Sequence, residues 1–253
     1  MRALRIATAV AALALTLAGC VARESASDAK PSSGFTPSET SSEAAEPSDT
    51  ESAGASTTAG DCGFKTDESG QEPAVGLPPD DGSLTAASLT LTTSAGPIAI
   101  QLDAGRAPCT VESMVFLAGK GFFDNTICHR LTAAASLKVL QCGDPEGTGS
   151  GGPGYVVPDE LPTDLPAGTD GSVTYPRGIV AMANAGPDTT GSQFFLVYGD
   201  STLPPNYTVF GTMDATGLAT LDQIAAAGIT PGANGAEDGA PATQVTIQSA
   251  KAA

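Results

Sequence analysis

The sequence predicts a mainly β protein, a closed antiparallel barrel of about eight strands with two helices over its ends. Three observations carry this. The chain of 253 residues holds 30 Gly and 19 Pro, so it is rich in turns. Its regular part is cut into short stretches with apolar residues at alternate positions. Only two stretches repeat at helical spacing. From about Leu84 the order is as follows. Leu89 and Leu91 alternate with polar residues, Ser94-Ala95-Gly96-Pro97 turns the chain, and Ile98, Ile100 and Leu102 alternate again, a hairpin signature. Val111, Met114, Val115 and Ala118 stand at i, i+3, i+4 and i+7, one face of a helix that Gly119 and Gly121 close. Strands are predicted near Thr126–Leu131, Leu137–Cys142, Gly178–Ala183, Gln193–Tyr198 and Tyr207–Met213. A second helix is predicted over Leu218–Ala227, stopped by Gly228, and a last strand over Thr243–Ser249 with Val245 and Ile247 on one side.

The material ahead of the barrel is of another kind. Arg2 and Arg5 precede an uncharged, mostly apolar run from Ile6 to Ala18, long enough for an export signal and too short to span a bilayer. It ends Leu17-Ala18-Gly19-Cys20, which resembles a bacterial lipobox with Cys20 as the lipidated residue; the alternative is an ordinary secretory signal with an incidental Cys. Val21 to Gly60 is mostly Ser, Thr, Ala, Glu, Asp, Pro and Gly, and cannot bury enough apolar surface to offset its ordering entropy. The expected organisation is a lipoprotein signal peptide (1–19), a disordered acidic tether (20–60), a pre-barrel extension (61–84) and the barrel domain (85–253). The expected location is the extracytoplasmic face of the cell membrane, held by lipid on Cys20.

Composition excludes several chemistries. Eleven Lys and Arg against 28 Asp and Glu, net charge -17, argue against a nucleic-acid partner, which needs clustered cations. A single His, His129, leaves little room for a His-rich metal site. No Cys-x-x-Cys occurs, so zinc and thioredoxin chemistry lack support. Gly147-Thr148-Gly149-Ser150-Gly151-Gly152 matches a dinucleotide fingerprint in letters only, because Pro153, Gly154 and Pro158 prevent the helix whose N-terminus would meet the pyrophosphate. Cys128-His129 looks like a nucleophile beside a base, but neighbours on a strand point to opposite faces. The lone His reads as a hydrogen-bonded structural residue.

The more specific signal is distributed. It comprises Phe122-Phe123-Asp124-Asn125-Thr126-Ile127-Cys128-His129-Arg130, then Gln141 to Tyr155 with Pro158-Asp159-Glu160, then Ala181 to Phe195, then Tyr207-Thr208-Val209-Phe210-Gly211. In order and spacing these blocks closely resemble the cyclophilin family of peptidyl-prolyl cis-trans isomerases, over about Thr85 to Ser249. The resemblance implies a closed eight-stranded cyclophilin-like barrel capped by two helices, with a shallow groove for an extended X-Pro segment. It assigns Arg130 as the catalytic arginine and Gln141 as the glutamine that holds the substrate backbone. Ala183 and Asn184 line the groove, Gln193 supports the arginine, and Phe195 and Leu203 wall the proline pocket. The family's pocket His falls on Tyr207 and its pocket Trp on Thr202, so weak cyclosporin binding is expected. Its aromatic and Met before the glutamine fall on Lys138 and Val139, or on Leu137 after a slip of one residue. Thr132 to Ser136 are extra residues where the family usually has a shorter turn.

These residue types suit the reaction. Prolyl isomerisation rotates a partial double bond against a barrier of about 18–20 kcal/mol, so a fixed cation that favours the twisted amide accelerates it. Arg is always charged and presents a rigid fork, and an apolar wall such as Phe195 grips the pyrrolidine ring. No metal, nucleotide or other cofactor is needed. The expected function is an isomerase acting, as a monomer, on X-Pro segments of exported polypeptides; the alternative is a cyclophilin-fold peptide-binding module or holdase with little turnover. The four Cys after Cys20 permit three disulfide pairings. Cys128 with Cys142, opposite one another in a hairpin centred on Ala135, and Cys62 with Cys109, are favoured. If Arg130 and Gln141 share a face, strict alternation would set Cys128 and Cys142 on opposite faces, and a bulge near Cys142-Gly143 is expected to resolve this.

Overall fold

The computed structural model describes residues 60–67 and 75–253. The signal peptide, Cys20 and nearly all of the tether lie outside the described residues. The elements are β1 (Lys65–Thr66), β2 (Ser88–Thr93), β3 (Gly96–Leu102), α1 (Pro108–Gly119), β4 (Thr126–Ile127), β5 (Arg130–Thr132), β6 (Lys138–Cys142), β7 (Tyr155–Val156) and β8 (Val173–Tyr175). They continue with β9 (Ile179–Met182), β10 (Phe194–Gly199), β11 (Ser201–Leu203), β12 (Val209–Met213), α2 (Ala215–Ala227), β13 (Ile229–Gly232), β14 (Gly235–Pro241) and β15 (Thr246–Ala252). The mainly β reading and both helices are observed.

Eleven strands form one sheet in the order β13-β14-β5-β6-β10-β9-β12-β3-β2-β15-β4, and its pairings are antiparallel. Two small pairs, β1 with β7 and β8 with β11, stand apart from it. The expected closed eight-stranded barrel is therefore corrected to a curled half-barrel whose ladder has two ends. One reason is that the strand predicted near Thr126–Leu131 is two strands, β4 on β15 and β5 on β6, broken at Cys128-His129. The other is the β13–β14 hairpin, which no alternation in Pro231-Gly232-Ala233-Asn234-Gly235 announces and which adds two strands beside β5.

Alternation along the strands sorts side chains into two clusters. Leu131, Leu140, Leu196 and Val180 are paired across β5, β6, β10 and β9 and belong to the main core with Phe194, Phe210 and Ile247. Residues one step away point to the other face and form a second cluster around Phe195 and Val139, which Tyr175 of β8 joins. Helix α1 packs on β15 and α2 on β3. Asp214 caps α2 by accepting the Gly217 N–H at 2.7 Å, so the helix begins at Ala215, three residues before the predicted start.

Both favoured disulfides are present, Cys62–Cys109 and Cys128–Cys142. Cys62 and Phe64 bring the extension into the main core, where Phe64 meets Tyr155 edge-on at 6.0 Å. The facing of Cys128 is settled at a different place from the one expected. Arg130 pairs with Gln141 and Leu131 with Leu140, so the register would set Cys128 one residue away from Cys142. The break at Cys128-His129 restarts the alternation, and Thr126, Cys128 and Leu131 all end up buried. Gly143, with φ +90°, carries the chain out of β6; a side chain there would collide with the Ser192 carbonyl.

Candidate active site

A single cross-strand row builds the site. Arg130 on β5 faces Gln141 on β6, Gln141 faces Phe195 on β10, and Phe195 faces Ala181 on β9. Directly opposed residues share a face, so strand register alone sets the arginine and the aromatic wall on the same side. Three of the predicted residues, Arg130, Gln141 and Phe195, are thereby brought together.

The polar half of the row is a relay of side-chain hydrogen bonds. Arg130 Nη1 donates to Gln141 Oε1 at 3.2 Å, Gln141 Nε2 donates to Gln193 Oε1 at 2.9 Å, and Gln193 Nε2 donates to the Gly151 carbonyl at 2.9 Å. Gln193 thus supports Gln141 directly and the arginine through it. The charged partner of Arg130 is Asp238 on β14, a residue that sequence reasoning missed. Asp238 Oδ1 and Oδ2 accept from Arg130 Nε and Nη2, each at 2.8 Å. This bond holds the Asp238 carboxyl below the usual carboxylate range and raises the guanidinium further.

The apolar half is the second cluster. Phe195 and Val139 are buried, and Leu137, Ala183, Leu203 and Tyr207 pack against them, partly buried. Tyr207 meets Phe195 edge-on at 5.5 Å. Tyr175, also missed, is fully buried and meets both rings edge-on at 6.2 Å; its hydroxyl donates to the Tyr207 carbonyl at 3.1 Å and accepts the Tyr207 N–H at 3.2 Å. No alternation signal singles it out, because β8 is three residues long. Lys138 lies one step from Val139, so alternation turns it from this face; Leu137 takes the place beside Val139, as the slip of one residue allows. Asn184 Nδ2 donates to the Asn206 carbonyl at 2.7 Å and joins two loops beside the pocket. Thr202 is exposed on β11.

The glycine-rich stretch has a local structural task. Buried Asp144 accepts from the backbone N–H groups of Glu146, Gly149 and Ser150 and from the Thr148 hydroxyl. Burial pushes its carboxyl up, but these donors outweigh it and leave it below the usual range. A side chain on Gly151 would run into Asp144 Oδ1, so glycine lets the loop close and present the Gly151 carbonyl to Gln193. Cys128 Sγ is committed to Cys142, and the expected hydrogen-bonded role of His129 is corrected: both ring nitrogens are buried without a hydrogen-bond partner among the described residues. Burial holds its imidazole below its ordinary value. Cys62, Asp80 and Glu112 cluster closely enough to suggest metal ligands, but Cys62 Sγ is bonded to Cys109 and offers no thiolate.

A half-buried arginine held in a fork thus stands beside an apolar, aromatic-walled recess. Residues 88–252 match the family described as cyclophilin type peptidyl-prolyl cis-trans isomerase/CLD, and the chain belongs to this family. It is 58% identical over 156 residues to a probable peptidyl-prolyl cis-trans isomerase B of Mycobacterium leprae, covering 60% of this chain and 52% of the relative. The Mycobacterium tuberculosis protein of the same description is also 58% identical, with 60% and 50% covered. The chain thus spans about half the length of these relatives. Among solved structures, a Cryptosporidium parvum cyclophilin type isomerase is similar at TM-score 0.54 and 26% identity, over 67% of this chain and 98% of that one. Another structure of that protein, in the presence of the dipeptide Ala-Pro, is similar at TM-score 0.53 and 27% identity, over 66% and 98%.

Proposed function

We propose that this chain is a peptidyl-prolyl cis-trans isomerase that assists exported polypeptides at the outer face of the cytoplasmic membrane. The observation that carries the isomerase reading is the row Arg130–Gln141–Phe195, with the charge and the apolar wall on one face of the sheet. In this reading the proline ring packs on Phe195, Val139, Leu203 and Tyr207, and Gln141, Ala183 and Asn184 fix the flanking backbone. With ring and flanks held, the carbonyl before proline is the part left to rotate. As the amide twists, resonance is lost and the proline nitrogen gains a lone pair. Arg130 has five N–H donors, of which three are committed to Asp238 and Gln141. The remaining two, one on Nη1 and one on Nη2, meet the developing charge and stabilise the twisted form above both planar isomers. No bond breaks, so no proton has to move and no nucleophile is required.

The placement at the membrane rests on Leu17-Ala18-Gly19-Cys20 behind a short apolar run, and on four later cysteines that are all in disulfides, bonds that persist in oxidising compartments. Lys138, a departure from the family pattern that would favour the holdase alternative by weakening the proline pocket, is turned by strand alternation to the other face of β6. NMR exchange on an Ala-Pro peptide with the full chain tests the isomerase reading. Line broadening or exchange peaks at catalytic enzyme concentration are expected; binding with unchanged exchange would instead favour the peptide-binding module or holdase.

A further inference from the structure

Arg130 is gripped from two sides by groups of different kind. Gln141 is neutral and lies on the adjacent strand, whereas Asp238 is a carboxylate 108 residues further along the chain. A single hydrogen bond would let the guanidinium swing about it, but a two-point pair through Nε and Nη2 fixes the plane of the fork. Asp238 is itself held. Asn234 Nδ2 donates to its Oδ2 at 3.1 Å from within the turn of the β13–β14 hairpin. The hairpin is laddered to β5, Asp238 opposite Thr132 and Gly239 opposite Leu131. Next to that ladder the extra residues of the β5–β6 turn engage the same hairpin, the Ala133 N–H donating to the Glu237 carbonyl at 2.9 Å. The side chain of Asp238 is 19% exposed and that of Arg130 35%, so the carboxylate is the more enclosed partner and the fork keeps the more open side.

Resting on the isomerase reading above, we infer that Asp238 is a positioning residue for Arg130. It occupies the Nε edge of the guanidinium, leaves one Nη1 and one Nη2 donor uncommitted, and holds them oriented while the substrate amide twists. A catalyst of rotation gains nothing from an arginine that follows the substrate; the donors must already stand where charge develops. The β13–β14 hairpin, which adds nothing to the apolar pocket, thus completes the polar half of the site. Asp238 acts only through Arg130, so its removal acts on the twisted state more than on peptide binding.

The test uses the full chain and an Ala-Pro peptide, with isomerisation on the enzyme measured by NMR exchange and affinity by shift titration. Asp238→Asn keeps shape and removes the charge; it is expected to slow turnover about tenfold while peptide affinity stays within about twofold. Asp238→Glu restores the carboxylate and is expected to recover most of the lost rate. Asn234→Ala, which loosens Asp238 without removing it, is expected to give a smaller loss of rate in a chain of unchanged unfolding midpoint. An active wild type with an unaffected Asp238→Asn chain overturns the proposal. So does a faster Asp238→Asn chain, which would make the carboxylate a competitor of the substrate, or a rate loss matched by an equal loss of affinity. If Asp238→Asn does not fold, the Asn234→Ala and Asp238→Glu rates decide. A wild type that leaves exchange unchanged overturns the isomerase reading instead, and is distinguished by needing no variant.

Discussion

Arg130 keeps its charge at every pH the protein meets, and its neighbours reinforce that charge rather than remove it. Arg130→Ala is therefore expected to lower kcat/KM at least about tenfold, or about 1.4 kcal/mol of transition-state stabilisation, with the circular dichroism spectrum unchanged. Undiminished turnover in the folded variant would remove the arginine from the mechanism. His129 next to it has the opposite character. Burial, with a further push from Arg130, holds its imidazole below 6.5, and only Asp144 opposes this. The unfolded chain then takes up the proton first, so folding stability is expected to decline as pH falls through about 6.5, before the carboxylates titrate. The chain has one His, which makes the assignment direct. Urea midpoints at pH 7.5 and 5.5 should differ for the wild type and converge for His129→Gln; equal slopes in both would refute it.

At the scale of elements, the helices end in different ways. Asp214 caps α2 from the adjacent chain position, a local signal of the ordinary kind. Helix α1 has Pro108 at its start and no cap from its own flank. Its N-terminal donors are met by buried Glu160, whose Oε1 accepts from the Cys109 N–H at 3.0 Å and whose Oε2 accepts from the Thr110 N–H at 2.8 Å and the Thr110 hydroxyl at 2.7 Å. A carboxylate there satisfies orphan donors and meets the positive end of the helix dipole. Its backbone N–H bonds in turn to Thr208 Oγ1 at 2.9 Å, which ties α1 to the segment leading into β12. Glu160→Ala would strand buried donors and is expected to cost about 1–3 kcal/mol in urea unfolding. A change near zero would mean that the loop relocates to supply another acceptor. The Cys62–Cys109 bond fixes the pre-barrel extension to this same helix start.

For the whole molecule, the reading as an anchored extracytoplasmic enzyme makes Cys20 the attachment point. Cys20→Ser is expected to move the chain from the membrane pellet to the soluble fraction without changing its rate on a peptide; retention in the pellet would end the lipid-anchor reading. Much of the architecture was legible in advance. Leu89, Leu91, Ile98 and Ile100 alternate because a strand turns successive side chains to opposite faces, and Val111, Met114 and Ala118 recur because a helix repeats every 3.6 residues. Such periods depend on dihedral angles a few residues apart, so the chain states them locally. The row of Arg130, Gln141 and Phe195 was legible as residue types in a family pattern. What holds the row was not. Asp238 reaches Arg130, Glu160 reaches α1, and Tyr175 reaches Tyr207 across separations of 108, 51 and 32 residues. The interruption at Cys128-His129 is a compromise between two ladders, on β15 and on β6, that meet only after folding. By itself, then, the sequence determined the strand and helix periods and the chemistry that the site would need. The register between distant strands, and with it the partner of the arginine, was decided only by the tertiary structure, because no local pattern records which strand will lie beside which.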